Sequence, residues 1–345
     1  MLSRKAKTNL AITVMVVAVI LIVIGLHDII FPKKQATQDM GANLSTVTST
    51  VAWRNIFSGQ PVNEDWSSFP VAIMLDNAYN IRPQAGLGQA DIIYEALAES
   101  NITRLLAIFD SHVEVEKIGP VRSARPYFMD WAEEYGGLYM HVGGSPQALA
   151  KIKDYQFINI DQIGMGETYF WRDQKLSAPA NVFTSSANWR RAGEMKEVKK
   201  LTASSSLVWN FVEPDKNDQT DQLDLTINYS VDYYKVEWRY NPLLQAYQRW
   251  QNNAKFDYDT GEQALAQNVI IQVAPANLID IERRSIDTKK GGQAIVFNVF
   301  GKQTGQWKYI DGRTRFLADD GSLIKFAPGK TWVQVVDSLD KVIIQ

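Results

Sequence analysis

The chain has 345 residues, 46% of them hydrophobic, and its 36 basic and 38 acidic side chains leave a net charge of −2. That size and apolar content suffice for two globular domains with cores of their own, and the near balance of charge excludes a general nucleic-acid binder. Cysteine is absent, which excludes disulfides, thiolate catalysis, zinc fingers, iron–sulfur clusters and lipid attachment through an N-terminal cysteine; with only His27, His112 and His141, a three-histidine zinc site is excluded too, so any metal would be a hard cation on carboxylates.

Residues 1–9 carry Arg4, Lys5 and Lys7 ahead of an uncharged apolar run, Leu10 to Leu26, which Ile29-Ile30-Phe31 extend. This pattern predicts a transmembrane anchor over 10–31, a single-pass signal anchor with the N-terminus in the cytoplasm and everything after it outside. A cleaved signal peptide is the alternative, but no small-residue cleavage site follows the run. Residues 32–60 are rich in Lys, Gln, Thr, Ser and Asn and read as a spacer.

From 61 to 212, strand-like runs (Val71 to Leu75, Ile92 to Leu97, Leu105 to Phe109, one starting at Leu138) alternate with helical ones after Pro126, after Pro146 and over Ala187 to Lys200. Alternation of this kind predicts an α/β layered domain on a mixed sheet, where ligands gather at strand ends that meet helix starts. The string Gly119-Pro-Val-Arg-Ser-Ala-Arg-Pro126 is such a junction: Pro126 suits a first helical turn, and Tyr127, Phe128, Trp131 and Tyr135 recur at helical spacing until Gly136-Gly137. Arg122, Ser123 and Arg125 would crown that helix, where free N–H groups, the helix dipole and two guanidinium forks favour phosphate or carboxylate. The competing reading pairs the arginines with carboxylates of the same domain, among Asp91, Glu95, Glu99, Asp110 and Asp130.

A second junction follows, Leu138-Tyr-Met-His-Val142 running into Gly143-Gly144-Ser145-Pro146. Ser145 reads as a helix cap in preference to a nucleophile, and His141 as a buried strand histidine in preference to a base. Asp76, Asn77, Arg82 and Asp91 are further polar residues placed at strand ends, and Glu95, Arg104 and Arg172 face either the pocket or its walls. The 10 Trp and 14 Tyr would suit sugar or partner contacts as well as a core.

Residues 213–222 are polar and turn-rich and read as a linker. Over 223–345 the pattern changes to short β runs separated by turn signals such as Asp259-Thr-Gly261, Lys290-Gly-Gly292 and Asp311-Gly312, which predicts a compact antiparallel β domain, barrel or sandwich, without a catalytic constellation.

Ordered strings, among them Pro70-Val-Ala-Ile-Met-Leu-Asp-Asn77, Arg82-Pro-Gln84, Ile118-Gly-Pro-Val-Arg-Ser-Ala-Arg125, His141-Val-Gly-Gly-Ser-Pro-Gln147, Tyr169-Phe-Trp-Arg172 and Gly329-Lys-Thr-Trp-Val-Gln334, resemble the YerB-like family of bacterial envelope proteins from Gly59 onward. That resemblance implies two domains without an established activity. Its members are often lipoproteins, whereas this chain has no cysteine, and Ala180-Asn181 stands where the family pattern has a histidine before the asparagine. A shorter, gapped likeness, Asp76 at one strand end, Asp91 opening another and the string ending at Arg125, resembles the LytR-CpsA-Psr phosphotransferases. It implies a magnesium ion held by Asp76 and Asp91 and a polyprenyl pyrophosphate held by Arg122 and Arg125, except that Pro126 replaces the aspartate expected after the last arginine.

Three functions follow as expectations. The first is an envelope module binding an anionic ligand, such as a wall polymer or lipid-linked glycan, at the arginine-crowned pocket. The second is a magnesium-dependent phosphotransferase using the same pocket, and the third is a scaffold for other envelope proteins.

Overall fold

The computed structural model describes residues 53–215, 222–280 and 283–345. The anchor expected over 10–31, the residues before it, most of the spacer and the middle of the 213–222 linker lie outside the described residues.

The fold is mostly β, organised around a ten-stranded mixed sheet. Its strands in chain order are β1 (Pro70–Asp76), β2 (Ile92–Leu97), β3 (Thr103–Asp110), β4 (Leu138–His141) and β5 (Ile158–Asp161). Strands β6 (Leu225–Asn228), β7 (Lys235–Asn241) and β8 (Ala246–Gln251) then leave for a second sheet. The chain returns to the first through β9 (Asn268–Val273), β10 (Gly292–Asn298), β11 (Gly301–Ile310), β12 (Arg313–Ala318) and β13 (Thr331–Val336), before β14 (Val342–Ile344) closes on β6. The spatial order of the large sheet is β12-β11-β10-β9-β13-β2-β3-β1-β4-β5. The pairs β1 with β4, β4 with β5, β9 with β13 and β13 with β2 are parallel.

The antiparallel β domain expected over 223–345 is therefore corrected. Five of its strands extend the sheet begun by residues 70–161, and β13 joins the two stretches by pairing in parallel with β2, Thr331 opposite Ile92 and Gln334 opposite Glu95. The reason is burial on both faces. All seven residues of β1 and all six of β13 are buried, so these strands read as continuous apolar runs that need cover on two sides.

On one face Val71, Ile73, Leu75, Ile93, Leu105 and Phe109 pack with Trp238 and Tyr247 of the second sheet and with Trp189 of a helix. On the other, Ala72, Met74, Tyr94 and Leu106 pack with Phe128 and Trp131.

Helices are few and short: α1 (Pro126–Glu133), α2 (Pro146–Lys151), α3 (Gln162–Met165) and α4 (Ser186–Met195). The helix expected after Pro146 gives way at Ile152 to a 3-10 turn, and β5, with polar Asn159 and Asp161 in four residues, was not evident from its pattern. Among the described residues no helix is long and apolar enough to cross a membrane.

Candidate functional site

The string singled out in the sequence is an extended segment wedged against the ends of β1 and β4. Arg122 N–H donates to the Met74 carbonyl (2.9 Å), Val142 N–H to the Arg122 carbonyl (3.0 Å), and Ala124 N–H to the Gly143 carbonyl (2.9 Å). On the other side Val121 N–H donates to the Val182 carbonyl at 2.7 Å. Gly119 opens the segment at φ +150°, and a Cβ there would stand 2.8 Å from the Val182 carbonyl oxygen, so only glycine fits.

This threading brings the carboxyl ends of β1 and β4, the start of β3 and the first turns of α1 and α2 to one edge of the sheet, the position where such folds place ligands. Arg125 is the N-cap of α1, with no side-chain cap and Pro126 in the first turn.

Three arginines converge here on two carboxylates. Glu99 takes the Arg104 guanidinium at 2.8 Å and also pairs with Arg125. Asp76, which lies opposite Arg104 across β1 and β3, has Oδ2 3.2 Å from Arg122 Nε. Arg104 donates its Nη1 to the Ser123 carbonyl at 3.1 Å, and Arg125 its Nη1 to the Ala124 carbonyl at 2.7 Å. Burial lowers all three arginines from their ordinary pKa, and Asp76 partly offsets this for Arg104 and Arg122. Of the carboxylates considered beforehand Glu99 pairs, and Asp76 joins it. Asp110 is held by Ser68 and Asn55, and Asp130 by Tyr155 and Thr288.

Beside this cluster Asn77 is wholly buried, donating to Glu95 (3.0 Å) and Thr103 (2.7 Å) while its side-chain oxygen accepts from Arg82 Nε (3.1 Å) and Gln84 (2.8 Å). Arg82 also donates to the carbonyls of Asn77 and Tyr233 and lies over the Tyr234 ring. Its pKa is lowered to about 10, mainly by burial, so it stays cationic at neutral pH. Glu95 is buried against Arg249 of β8.

The Gly-Gly junction is structural. Gly143 N–H donates to Asp161 (2.7 Å), Gly144 bridges Ala124, and the Ser145 hydroxyl caps α2 by accepting from Ala148 N–H at 3.2 Å. His141 is fully buried, its Nδ1 donating to the Gly143 carbonyl at 2.7 Å and its Nε2 2.7 Å from the Asn159 side-chain amide. Arg172 donates to Asn181 (2.8 Å) and Gln162 (3.0 Å), and Val182, its partner in a two-residue ladder, is the residue that takes the Val121 N–H.

Asp76 and Asp91 are not brought together. Asp76 closes β1, whereas Asp91 precedes β2, and both strands run antiparallel to β3. Because Ile92 lies opposite Ile108 and Ile108 opposite Ala72, Asp91 stands level with Val71, five residues or roughly 16 Å along the strands from Asp76. One magnesium ion cannot take both as ligands, and among the described residues no group of three or more His, Asp or Glu could hold a metal. Asp91 instead neighbours Lys330, whose ammonium donates to the carbonyls of Gly88 (2.8 Å) and Ala90. Burial pushes Asp91 up to about 7 and Lys330 down to about 8, and each opposes the shift of the other.

A cleft of about 520 Å3 opens beside the Gly119-Pro120 start of the string, between the segment Asn80 to Pro83 and the exposed loop Lys175 to Ala180. Sequence reasoning missed it, along with Arg249 and Lys330. The detectable signal for Arg249 was its phase: in β8 it shares a strand face with buried Tyr247 and Gln251.

Comparison with known proteins decides the family. Residues 57–199 match the N-terminal domain, and residues 225–333 the C-terminal domain, of a protein family of unknown function, DUF3048. A protein of Bacillus subtilis (strain 168) named "Putative lipoprotein YerB" is 33% identical over 275 residues, 79% of this chain and 82% of its own. This chain belongs to the two-domain YerB-like family. The crystal structure of YerB from Bacillus subtilis superposes with a TM-score of 0.76 at 30% identity, covering 85% of this chain and 99% of that one.

These findings correct the expected location. The 33% identical relative is named a putative lipoprotein, a name for attachment through a lipid and not through a spanning helix. The transmembrane helix, the signal anchor and the single-pass topology with a cytoplasmic N-terminus are withdrawn.

Proposed function

We propose that this YerB-like protein acts in the extracytoplasmic envelope, where it binds an anionic ligand at the Arg104, Arg122 and Arg125 cluster. The observation that carries the reading is the charge count at one sheet edge: three guanidinium groups share two carboxylates, Glu99 and Asp76. One positive charge is left over beside the uncapped first turn of α1, where free N–H groups and the helix dipole add to it. The lipoprotein name of the YerB relative supports the envelope placement. A phosphate or carboxylate group of a wall polymer or lipid-linked glycan has the right charge and oxygen geometry for such forks.

The test is calorimetric titration of the full-length chain with pyrophosphate, with and without magnesium. Binding that needs no magnesium and weakens about tenfold in Arg122→Gln is the expected result, the size of one charge-assisted contact. Absence of binding, or equal binding by both proteins, overturns the reading.

A further inference from the structure

The 520 Å3 cleft has the size of a small-ligand site and a lining that the arginine cluster does not explain. Three cations line it, Arg82, Lys117 and Lys175, and among the described residues no carboxylate does. Arg82 is fixed by its bonds to Asn77 and Tyr233. Lys117 is fixed between Asp173, at 2.8 Å, and the Phe183 ring, at 4.2 Å. Asp173 also accepts the Lys175 N–H at 3.0 Å and attracts its ammonium from a distance, so this one carboxylate serves both lysines and positive charge remains in excess at the cleft.

Next to the cleft wall, though not lining it, is an exposed aromatic pair. Tyr79 is 58% exposed and Tyr233 47%, and their rings stack with centroids 4.6 Å apart at 19°. Tyr79 directly precedes Asn80 of the cleft wall, and the Tyr233 carbonyl takes the bond from Arg82, so the pair is tied to the cleft from both sides. Large rings left in water beside a cavity are the mark of a contact surface, and tyrosine offers an apolar face with a polar tip.

We propose that this cleft is a second binding site, for an acidic glycan. A sugar ring presents a flat C–H face that an aromatic ring covers, its hydroxyls match Asn80 and Ser177 on the walls, and a carboxylate or phosphate on the sugar answers Lys175 and Lys117. The site stands on these observations alone and holds whether or not the arginine cluster binds an anion.

The experiment is titration of the full-length chain with tetragalacturonate, an acidic oligosaccharide, and with its uncharged galactotetraose counterpart. Tetragalacturonate is expected to bind, and Lys175→Ala and Tyr79→Ala each to weaken it about five- to tenfold, while Lys302→Ala on the far strand β11 has no effect. Both test positions are exposed, so neither substitution threatens folding. Failure of tetragalacturonate to bind overturns the proposal, as does equal affinity for the neutral oligosaccharide. Binding that Arg122→Gln abolishes but Lys175→Ala and Tyr79→Ala leave intact also overturns it, because the glycan then sits on the arginine cluster. Pyrophosphate titration reports on that cluster separately, so the two readings can fail independently.

Discussion

Glu95 and Arg249 form an ion pair at 2.8 Å in which neither side chain reaches solvent. They are 154 residues apart in sequence, on β2 of the large sheet and β8 of the second. Trp238, Phe256 and Trp332 surround the guanidinium, with the Trp332 ring centroid 4.3 Å away, and its Nε and Nη1 have no hydrogen-bond partner. The same carboxylate accepts from Thr103 and Asn77, so a polar chain runs from the second sheet to the residue after Asp76.

Arg249→Met leaves the Glu95 charge buried without its counter-ion and is expected to cost about 3–5 kcal/mol of stability. Adding Glu95→Gln removes that charge and is expected to recover a large part of the loss. Urea unfolding of the single and double variants checks this, and an equal loss in both would show that lost packing, not the stranded charge, is responsible.

The Asp91 and Lys330 pair gives stability a defined pH dependence. The folded protein holds the Asp91 proton up to about pH 7, whereas an unfolded chain releases it near 3.8, so stability falls as pH rises between those values. Lys330 acts at higher pH: the unfolded chain keeps its proton to 10.5 and the folded one only to about 8, so stability rises over that interval. Melting temperatures across pH 4 to 10 are expected to dip near pH 7–8. Asp91→Asn should flatten the acid limb by about 2–4 kcal/mol, since each pKa unit is worth about 1.4 kcal/mol. An unchanged limb would remove Asp91 as its cause.

Glu99 competes with any anion for Arg104 and Arg125. Glu99→Gln is expected to tighten pyrophosphate binding about five- to tenfold while lowering the melting temperature, since two arginines lose their carboxylate. Weaker binding in this variant would mean that Glu99 holds the arginines in a binding geometry.

Ser145→Ala removes the α2 cap and is expected to cost about 1 kcal/mol, read as a fall of a few degrees in melting temperature. Pyrophosphate affinity should stay within twofold. A large loss of binding with no loss of stability would give the hydroxyl a role beyond capping.

Local features were legible in the chain. The cap at Ser145, the helix start at Pro126 and the strand 92–97 each rest on a few consecutive residues with one strong preference. The placement of Asp91 was legible in principle as well, because an aspartate that opens one strand and another that closes a strand running the same way must lie at opposite ends. What the pattern does not carry is which strands meet. Ile93 and Trp332 show the same apolar character as any core strand residue, and nothing in their periodicity says that they face each other. The aromatic cage of Arg249 depends on that pairing, since Trp332 comes from β13 and Trp238 from β7.

The parallel seam between β2 and β13 also sets an order of events during synthesis. One edge of residues 92–95 pairs at once with 105–108 of β3, but the other finds its ladder partners only at 331–334, almost at the end of the chain. While the ribosome is still working, the inner edge of β2 is an open template lined by apolar side chains, and a long loop must close before it is satisfied. Cutting between residues 199 and 225, the gap between the two family matches, would sever the halves of one sheet and leave each with a raw, sticky margin.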